Sequence, residues 1–405
     1  MMPVVFKIPG IGYEVPGYGL ALMIGFLVSI MWATRRAIKS GANPDVVLNC
    51  GFLALIGGVV GSRAMYVAHH WADFASRGTS AQVFWAVIDV RKGGLEVYGG
   101  VLIVVVLVLL YLWLGKHSIR WYLDIMAPST ALGMSIGRIG CFVNGCCWGG
   151  VCDQLPWAVR FPFGSPAAVQ QWAERQPGAG LPAELLLIGE YADGAAVVPI
   201  PRETLRASDQ ELDAARKAID EIAPRLKELD AQVAQATDPQ EQRRLETELD
   251  TLNRQFKTKF PQYVAIAAPL MSKYNLSAAQ LRALAREHPS LPVHPTQIYS
   301  VITLGLVAWL LSAIYWRRTR DGQVICALFV IEPPTRWVIE LVRPDNPIDV
   351  LGVFTISQFL AICLVPLGLI GLWWLHYLPP RSHRAAIWVP PEEEPADKKK
   401  AKRTT

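Results

Sequence analysis

The chain has 405 residues, of which 52% are hydrophobic and only 18% are charged, whereas about 25% of the residues in a typical soluble domain are charged. The net charge is only +5, and the basic residues are scattered or lie beside apolar runs, which argues against a nucleic-acid-binding protein. The composition therefore predicts a membrane protein.

Seven apolar runs approach the roughly 20 residues that an α-helix needs to span a bilayer. We therefore predict an all-α polytopic membrane protein with about seven transmembrane helices. The fourth and sixth runs contain charged residues, so a buried or re-entrant helix is the alternative for each. The predicted spans are about 18–35, 47–68, 95–115, 121–143, 296–316, 323–342 and 353–378.

Basic residues follow spans one, three, five and seven. Because Lys and Arg are enriched in cytoplasmic loops, we predict that the N-terminus is extracytoplasmic and the C-terminus cytoplasmic. The residues that decide this orientation are Arg35, Arg36, Lys39, Lys116, Arg120, Arg317, Arg318, Arg320, Arg381, Arg384 and the basic run 398–403.

Composition divides the chain into four segments. Residues 1–160 are predicted to form a membrane core with spans one to four, and residues 293–380 to complete it with spans five to seven. Residues 161–292 form an extracytoplasmic insert, which is either a spacer or an arm that contacts a partner protein. Residues 381–405 form a disordered, basic cytoplasmic tail.

A helical hairpin is predicted inside the insert, at about 205–260. Ser208 and Glu211 fit a capping box at the start of its first helix, and Pro239 fits the first position of its second helix. Apolar residues then repeat at a heptad-like spacing, which predicts that the two arms pack along a seam. The seam residues are Leu245, Leu249, Leu252 and Phe256.

The segment 137–150 is glycine-rich and follows the fourth span. Its second residue is Arg138. Placing an arginine beside lipid costs free energy, so such a residue is a candidate for function. Glycines allow a ligand to approach the backbone closely. The segment therefore predicts a site for a phosphate headgroup and for lipid chemistry.

Four further clusters lie at the predicted outer ends of spans. Arg63 either binds phosphate or snorkels to the interface, Tyr98 either carries a proton or belongs to a tight helix start, and His294 is either a base or a cap. The fourth cluster is Arg336, Glu340 and Arg343, which share one face of a helix. Ionisable residues inside a membrane are functional candidates, although an internal salt bridge is the alternative here.

Four of the seven cysteines follow one another closely after span four: Cys141, Cys146, Cys147 and Cys152. They are expected to be structural thiols or to form a disulfide, such as one from Cys146 or Cys147 to Cys152, which would suit an oxidising outer compartment. A zinc site and thiol redox catalysis are the alternatives, although the spacing is not the usual pair of cysteines two residues apart. We predict no metal and no cofactor.

The chain resembles the prolipoprotein diacylglyceryl transferase family of bacteria over about residues 15–160 and 290–380. The segment 137–149 carries the resemblance most specifically, and further motifs agree in order and spacing. These motifs are Tyr18-Gly19, Gly61-Ser62-Arg63, Gly93-Gly94, Gly99-Gly100, the segment 294–299, Arg336 and Glu340.

The resemblance implies an enzyme of the bacterial inner membrane that transfers the diacylglyceryl group of phosphatidylglycerol to the lipobox cysteine of a prolipoprotein. The products are a thioether and glycerol phosphate. The predicted catalytic residues are Arg138, Arg336, Glu340, Tyr98 and His294. The predicted phosphatidylglycerol-binding residues are Arg138, Arg63, Tyr18, Asn144, Gly149, Gly99, Gly100 and Arg343.

Three features depart from the family pattern. Tyr98 stands where some members have a histidine, Cys141 stands where some have an asparagine, and residues about 200–290 extend the compact core. Glu340, Tyr98 and His294 remain open as the base for the substrate thiol. The competing functions are a lipid or anion transporter, a thiol–disulfide oxidoreductase built on the cysteines, and a scaffold that acts through the arm.

Overall fold

The structure is a computed structural model that describes residues 4–7, 14–75, 79–89, 94–191, 194–236, 238–343, 352–385 and 387–389. Gly93 and most of the predicted tail therefore lie outside the described residues. The helices are α1 Gly17–Lys39, α2 Pro44–His69, α3 Trp71–Ala75, α4 Ser80–Ile88, α5 Val97–Leu114, α6 Ile119–Asn144, α7 Pro166–Ala173, α8 Asp209–Gln235, α9 Pro239–Lys259, α10 Gln262–Lys273, α11 Ala278–Glu287, α12 Thr296–Arg317, α13 Gln323–Glu340 and α14 Ile356–Trp374. Two small antiparallel hairpins accompany them, β1 Val4–Lys7 with β2 Glu14–Pro16 and β3 Leu186–Tyr191 with β4 Gly194–Pro199.

The predicted all-α polytopic membrane fold is confirmed. Within the described residues, five helices are long and apolar enough to cross a membrane, namely α1, α2, α5, α12 and α14. The fourth and sixth predicted spans correspond to α6 and α13, which are helical throughout but carry buried charged residues such as Asp124 and Glu340.

The chain divides into two compact units, which we call the membrane unit and the loop unit. The membrane unit comprises Tyr18–Gly140 and Ile298–Thr405, and the loop unit comprises Met1–Gly17 and Cys141–Gln297.

Glycines set the close helix contacts of the membrane unit. A Cβ atom added to Gly61 of α2 would lie 2.5 Å from the carbonyl oxygen of Gly99 in α5, and one added to Gly100 would lie 2.8 Å from the carbonyl oxygen of Gly58. Helix α1 meets α6 in the same way, since a Cβ on Gly25 would lie 2.9 Å from the carbonyl oxygen of Gly133. Small residues let helix backbones approach where no hydrophobic effect drives association.

Buried charges of the membrane unit are satisfied by neighbouring helices. The Asp124 carboxylate of α6 is fully buried and accepts hydrogen bonds from the backbone N–H groups of Gly322, Val324 and Ile325 at 2.7–2.9 Å, which caps the start of α13. Arg318 lies 3.4 Å from the same carboxylate. The sequence placed Arg318 among the loop residues that orient the protein, and the structure adds this ion pair.

Arg36 is also more than a loop residue. Its side chain is buried, donates to the carbonyl oxygen of Ile125 at 2.9 Å and to the hydroxyls of Ser129 and Ser312, and stacks on Trp32. Helices α1, α6 and α12 are thereby joined through one guanidinium group.

The loop unit contains the predicted helical hairpin. The capping box of Ser208 and Glu211 opens α8, and Pro239 occupies the first turn of α9, as predicted. The seam is only partly buried, because Phe256 is buried whereas Leu245, Leu249 and Leu252 are half-buried. The core of this unit instead lies where α8 packs on α10 and α11, around Leu212, Ala215, Met271, Ala278 and Leu281.

Replacing Asp124 with Ala is expected to destabilise the protein by about 3–5 kcal/mol, because it leaves Arg318 and three backbone N–H groups of α13 without their buried acceptor. The measurement is the thermal unfolding transition in detergent. The matched control is Asp153→Ala, which removes an exposed carboxylate. Equal shifts for the two variants would contradict the capping role of Asp124.

Met271→Ala is expected to cost about 2–5 kcal/mol, because it opens a cavity in the core of the loop unit. The control Leu252→Ala truncates a half-buried seam residue and should cost clearly less. Limited proteolysis of the insert, followed as a function of temperature, checks the order. If Leu252→Ala destabilised the insert more than Met271→Ala, the main hydrophobic core of this unit would lie at the hairpin seam instead.

Candidate active site

An ion pair on α13 forms the first part of the site. The Arg336 guanidinium lies 3.1 Å from the Glu340 carboxylate, one helical turn away, and the Glu340 side chain is 1% exposed. Arg336 also donates to the Ser357 hydroxyl of α14 at 3.5 Å. The spacing of these residues predicts the shared face, and the structure places that face against α14.

Arg138 of α6 joins this pair through a second carboxylate. Glu332, which precedes Arg336 by one turn, interacts electrostatically with both Arg336 and Arg138. Glu332 therefore links Arg138 electrostatically to the pair on α13. Its position in the sequence does not reveal this link, because Arg138 belongs to another helix.

The Arg138 guanidinium is half-buried, and no residue that the structure describes hydrogen-bonds to it. Its five N–H donors are thus not committed to backbone carbonyls, in contrast to those of Arg36. An arginine in this state is suited to bind an oxyanion, because planar guanidinium donors match two oxygens of a phosphate.

Tyr18 lies beside the glycine-rich face of α6. A Cβ added to Gly140 would lie 3.2 Å from the Tyr18 ring and 2.9 Å from the Ala21 Cβ atom. Gly140 follows Arg138 by two residues, so the ring contacts the turn of α6 that carries this arginine. Tyr18 is 38% exposed, which leaves part of its side chain accessible to a ligand.

The Arg63 guanidinium is used differently. It donates to the carbonyl oxygens of Ala86, Val87 and Asp89 at the end of α4 and to that of Gly94, at 2.7–3.1 Å. The last carbonyl groups of a helix need external donors, and Arg63 supplies them. A phosphate would have to displace these carbonyls, so this geometry favours the structural alternative for Arg63.

Gly99 and Gly100 occupy the close contact between α2 and α5, which also gives them a packing role. Tyr98 precedes them on α5 and is 45% exposed. Arg343 follows the end of α13, where its backbone N–H donates to the Glu340 carbonyl oxygen at 3.0 Å. Among the described contacts, none joins Tyr98 or Arg343 to Arg138, so their roles at the site stay predictions.

The signature segment leaves α6 through a Schellman cap. The backbone N–H groups of Gly145 and Cys146 both donate to the carbonyl oxygen of Cys141, at 2.9 and 3.1 Å, and Gly145 has φ +77°. Asn144, the last residue of α6, accepts a hydrogen bond from Arg202 on its side-chain oxygen at 3.2 Å. No local sequence pattern indicates a role for Arg202, which lies about 60 residues away in the insert.

Residues 294–297 form hydrogen bonds to the backbone of the loop that follows α6. The Gly149 N–H donates to the His294 carbonyl oxygen at 2.9 Å, and a Cβ on Gly149 would lie 2.6 Å from the His294 Cβ atom. The Thr296 hydroxyl donates to the Cys147 carbonyl oxygen and the Gln297 amide to that of Cys146, both at 2.7 Å. Only a residue without a side chain fits at position 149, which explains this glycine structurally.

None of the seven cysteines is in a disulfide in the structure, Cys152 included, so the disulfide alternative is not observed and the structural-thiol alternative is left. The Sγ atoms of Cys141, Cys146 and Cys147 instead lie within 4.8 Å of one another, and these three residues are the ones that could hold a metal ion among those described. Hydrogen bonds to Cys141 and Cys147 raise the pKa of Cys146. Redox-active cysteines have a lowered pKa, so this environment argues against a thiol oxidoreductase.

Comparison with known proteins agrees with the motifs. The model of the prolipoprotein diacylglyceryl transferase family matches residues 3–374. Proteins named phosphatidylglycerol–prolipoprotein diacylglyceryl transferase are similar to the chain: one from Rhodopirellula baltica is 36% identical over 161 residues, which are 40% of this chain and 32% of that protein. One from Pseudoalteromonas translucida is 35% identical over 168 residues, 41% of this chain and 60% of that protein.

The chain thus spans about a third and three fifths of the lengths of these two relatives in the matched regions. A third relative with the same name, from Bdellovibrio bacteriovorus, is 28% identical over 379 residues, which are 91% of each protein. Because the family model extends over nearly the whole sequence, the chain belongs to the prolipoprotein diacylglyceryl transferase family.

Proposed function

We propose that the protein transfers the diacylglyceryl group of phosphatidylglycerol to the lipobox cysteine of prolipoproteins, the first step of bacterial lipoprotein maturation. The observation that carries the proposal is the grouping of Arg138, Arg336, Glu332 and Glu340 inside the membrane unit. A family whose relatives are named for this reaction supports the choice of substrates.

The reaction needs a site that stabilises negative charge. The thiolate sulfur of the prolipoprotein attacks the glyceryl carbon, a C–S bond forms, and the C–O bond to the phosphate breaks. Negative charge then develops on the departing glycerol phosphate, and the thiol proton passes to a base. Arg138 and Arg336 supply preorganised cationic donors for that phosphate.

The carboxylates keep the arginines in position. Glu340 lies 3.1 Å from Arg336, and Glu332 interacts with both arginines. A carboxylate that holds a guanidinium in a fixed orientation preorganises it for the transition state. This arrangement favours orientation of Arg336 as the role of Glu340, whereas Tyr98 and His294 remain candidates for the base.

The membrane helices and the family support a location in the bacterial inner membrane. The enrichment of Lys and Arg after alternate spans supports an extracytoplasmic N-terminus and a cytoplasmic C-terminus. The site residues at the ends of α6 and α13 then face the outer leaflet, where a prolipoprotein emerges.

Arg138→Ala and Arg336→Ala are each expected to lower kcat by about 10²–10³-fold, as removal of a donor to a developing oxyanion does. The assay combines purified protein in detergent, phosphatidylglycerol and a lipobox peptide, and follows glycerol phosphate release together with the peptide mass. The control Arg254→Ala removes an arginine that is 81% exposed in the insert. Release of glycerol phosphate without a gain in peptide mass would contradict the proposed transfer. So would the absence of both products when the wild-type protein is folded.

Glu340→Gln keeps the shape of the side chain and removes its charge. If Glu340 orients Arg336, kcat falls about 10–100-fold while the pH profile keeps its shape. Loss of the acidic limb of that profile would instead identify Glu340 as the base. Glu248→Gln, at a half-exposed glutamate of the insert, is the matched control and should leave both quantities unchanged.

A further inference from the structure

The thiol cluster in the loop unit has no part in the proposed transfer reaction. Its members are Cys141 at the end of α6 and Cys146 and Cys147 in the loop that follows. None of the three is in a disulfide, and their Sγ atoms lie within 4.8 Å of one another. Cys152, although close in sequence, is outside the cluster.

The backbone holds these three sulfur atoms together. The Schellman cap returns Cys146 to the last turn of α6, and the Cys146 thiol donates to the Cys141 carbonyl oxygen at 3.7 Å. Cys147 has φ +59°, a left-handed conformation that turns the chain back. Thr296 and Gln297 hold the carbonyl oxygens of Cys147 and Cys146, so side chains distant in sequence fix the conformation of this loop.

Apolar residues flank the cluster in the sequence. Phe142 and Trp148, next to Cys141 and Cys147, pack with Phe161, Ala167 and Val293 in one hydrophobic group. Cys141 is itself buried, whereas Cys146 and Cys147 are partly exposed. Hydrophobic residues around a metal site control its access to solvent, and the two outer thiols leave an entry path.

We propose that Cys141, Cys146 and Cys147 form a binding site for one soft metal ion, and that the ion is Cu(I). Three sulfur ligands around a metal at about 2.3 Å stand roughly 4 Å apart, which the observed spacing allows with small rotations about χ1. A disulfide would need a distance of about 2.05 Å between two sulfur atoms, and none of the three cysteines is in a disulfide.

The choice of Cu(I) follows from the number and the type of donors. Structural zinc sites are almost always four-coordinate, and the described residues offer three ligands in this group, all of them sulfur. Soft thiolate ligands select Cu(I), which is stable with three of them. Binding replaces three S–H bonds with three Cu–S bonds and releases three protons, while copper and sulfur keep their oxidation states.

The test uses the full-length protein, reduced and kept without oxygen in detergent. Titration with Cu(I) against a chromophoric Cu(I) chelator is expected to show one tightly bound ion per chain. Cys141→Ser, Cys146→Ser and Cys147→Ser should each weaken binding at least 10-fold. Cys152→Ser, a cysteine of the same loop outside the cluster, should leave the affinity unchanged.

A second measurement avoids any variant that fails to fold. In the wild-type protein, Cu(I) should slow alkylation of Cys146 and Cys147 at least 10-fold, as mapped by mass spectrometry, while Cys152 reacts at its original rate. Equal alkylation of all three residues with and without Cu(I), or a disulfide within the cluster, would overturn the proposal. Binding of one Zn²⁺ in preference to Cu(I) would overturn the assignment of the metal.

Discussion

The cost of placing charge inside a membrane determines how the membrane unit is built. Each charged side chain on its helices needs a partner from another helix or from the same helix face, because lipid provides none. Arg36 and the pair of Asp124 with Arg318 meet this requirement with backbone and side-chain partners that connect α1, α6, α12 and α13. These contacts commit the charged groups to partners within the protein.

Helix α6 carries a charged residue with a structural role and another whose donors are available to a ligand. Asp124 lies near its start and serves structure, whereas Arg138 lies 14 positions later, about 21 Å along the axis, and keeps its donors available. The two residues differ both in burial and in the kind of partner. Asp124 is fully buried and accepts hydrogen bonds from the first turn of α13, while Arg138 is half-buried and interacts electrostatically with Glu332 in the middle of that helix.

The glycines illustrate why motifs recognised in a sequence need a structure for their interpretation. Gly99 and Gly100 lie next to a predicted site residue and match the family pattern, and the structure uses them to bring α5 against α2. Gly149 makes room for the His294 backbone, so the structure gives this glycine a role in the conformation of the loop. A motif can therefore belong to the family pattern because of packing.

The sequence by itself determined the membrane class, the positions of seven helices to within a few residues, the caps of α8 and α9, and the shared face of Arg336 and Glu340. These features depend on local periodicity and on side chains within one or two turns, which the sequence contains directly. Only the tertiary structure decided that Glu332 joins Arg138 to Arg336, that Arg63 binds backbone carbonyls, that Arg202 reaches Asn144 and that three cysteines meet without Cys152. Most of those contacts join residues tens to hundreds of positions apart and depend on how helices pack, and the meeting of the three cysteines depends on the conformation of the loop after α6, so no local pattern encodes them.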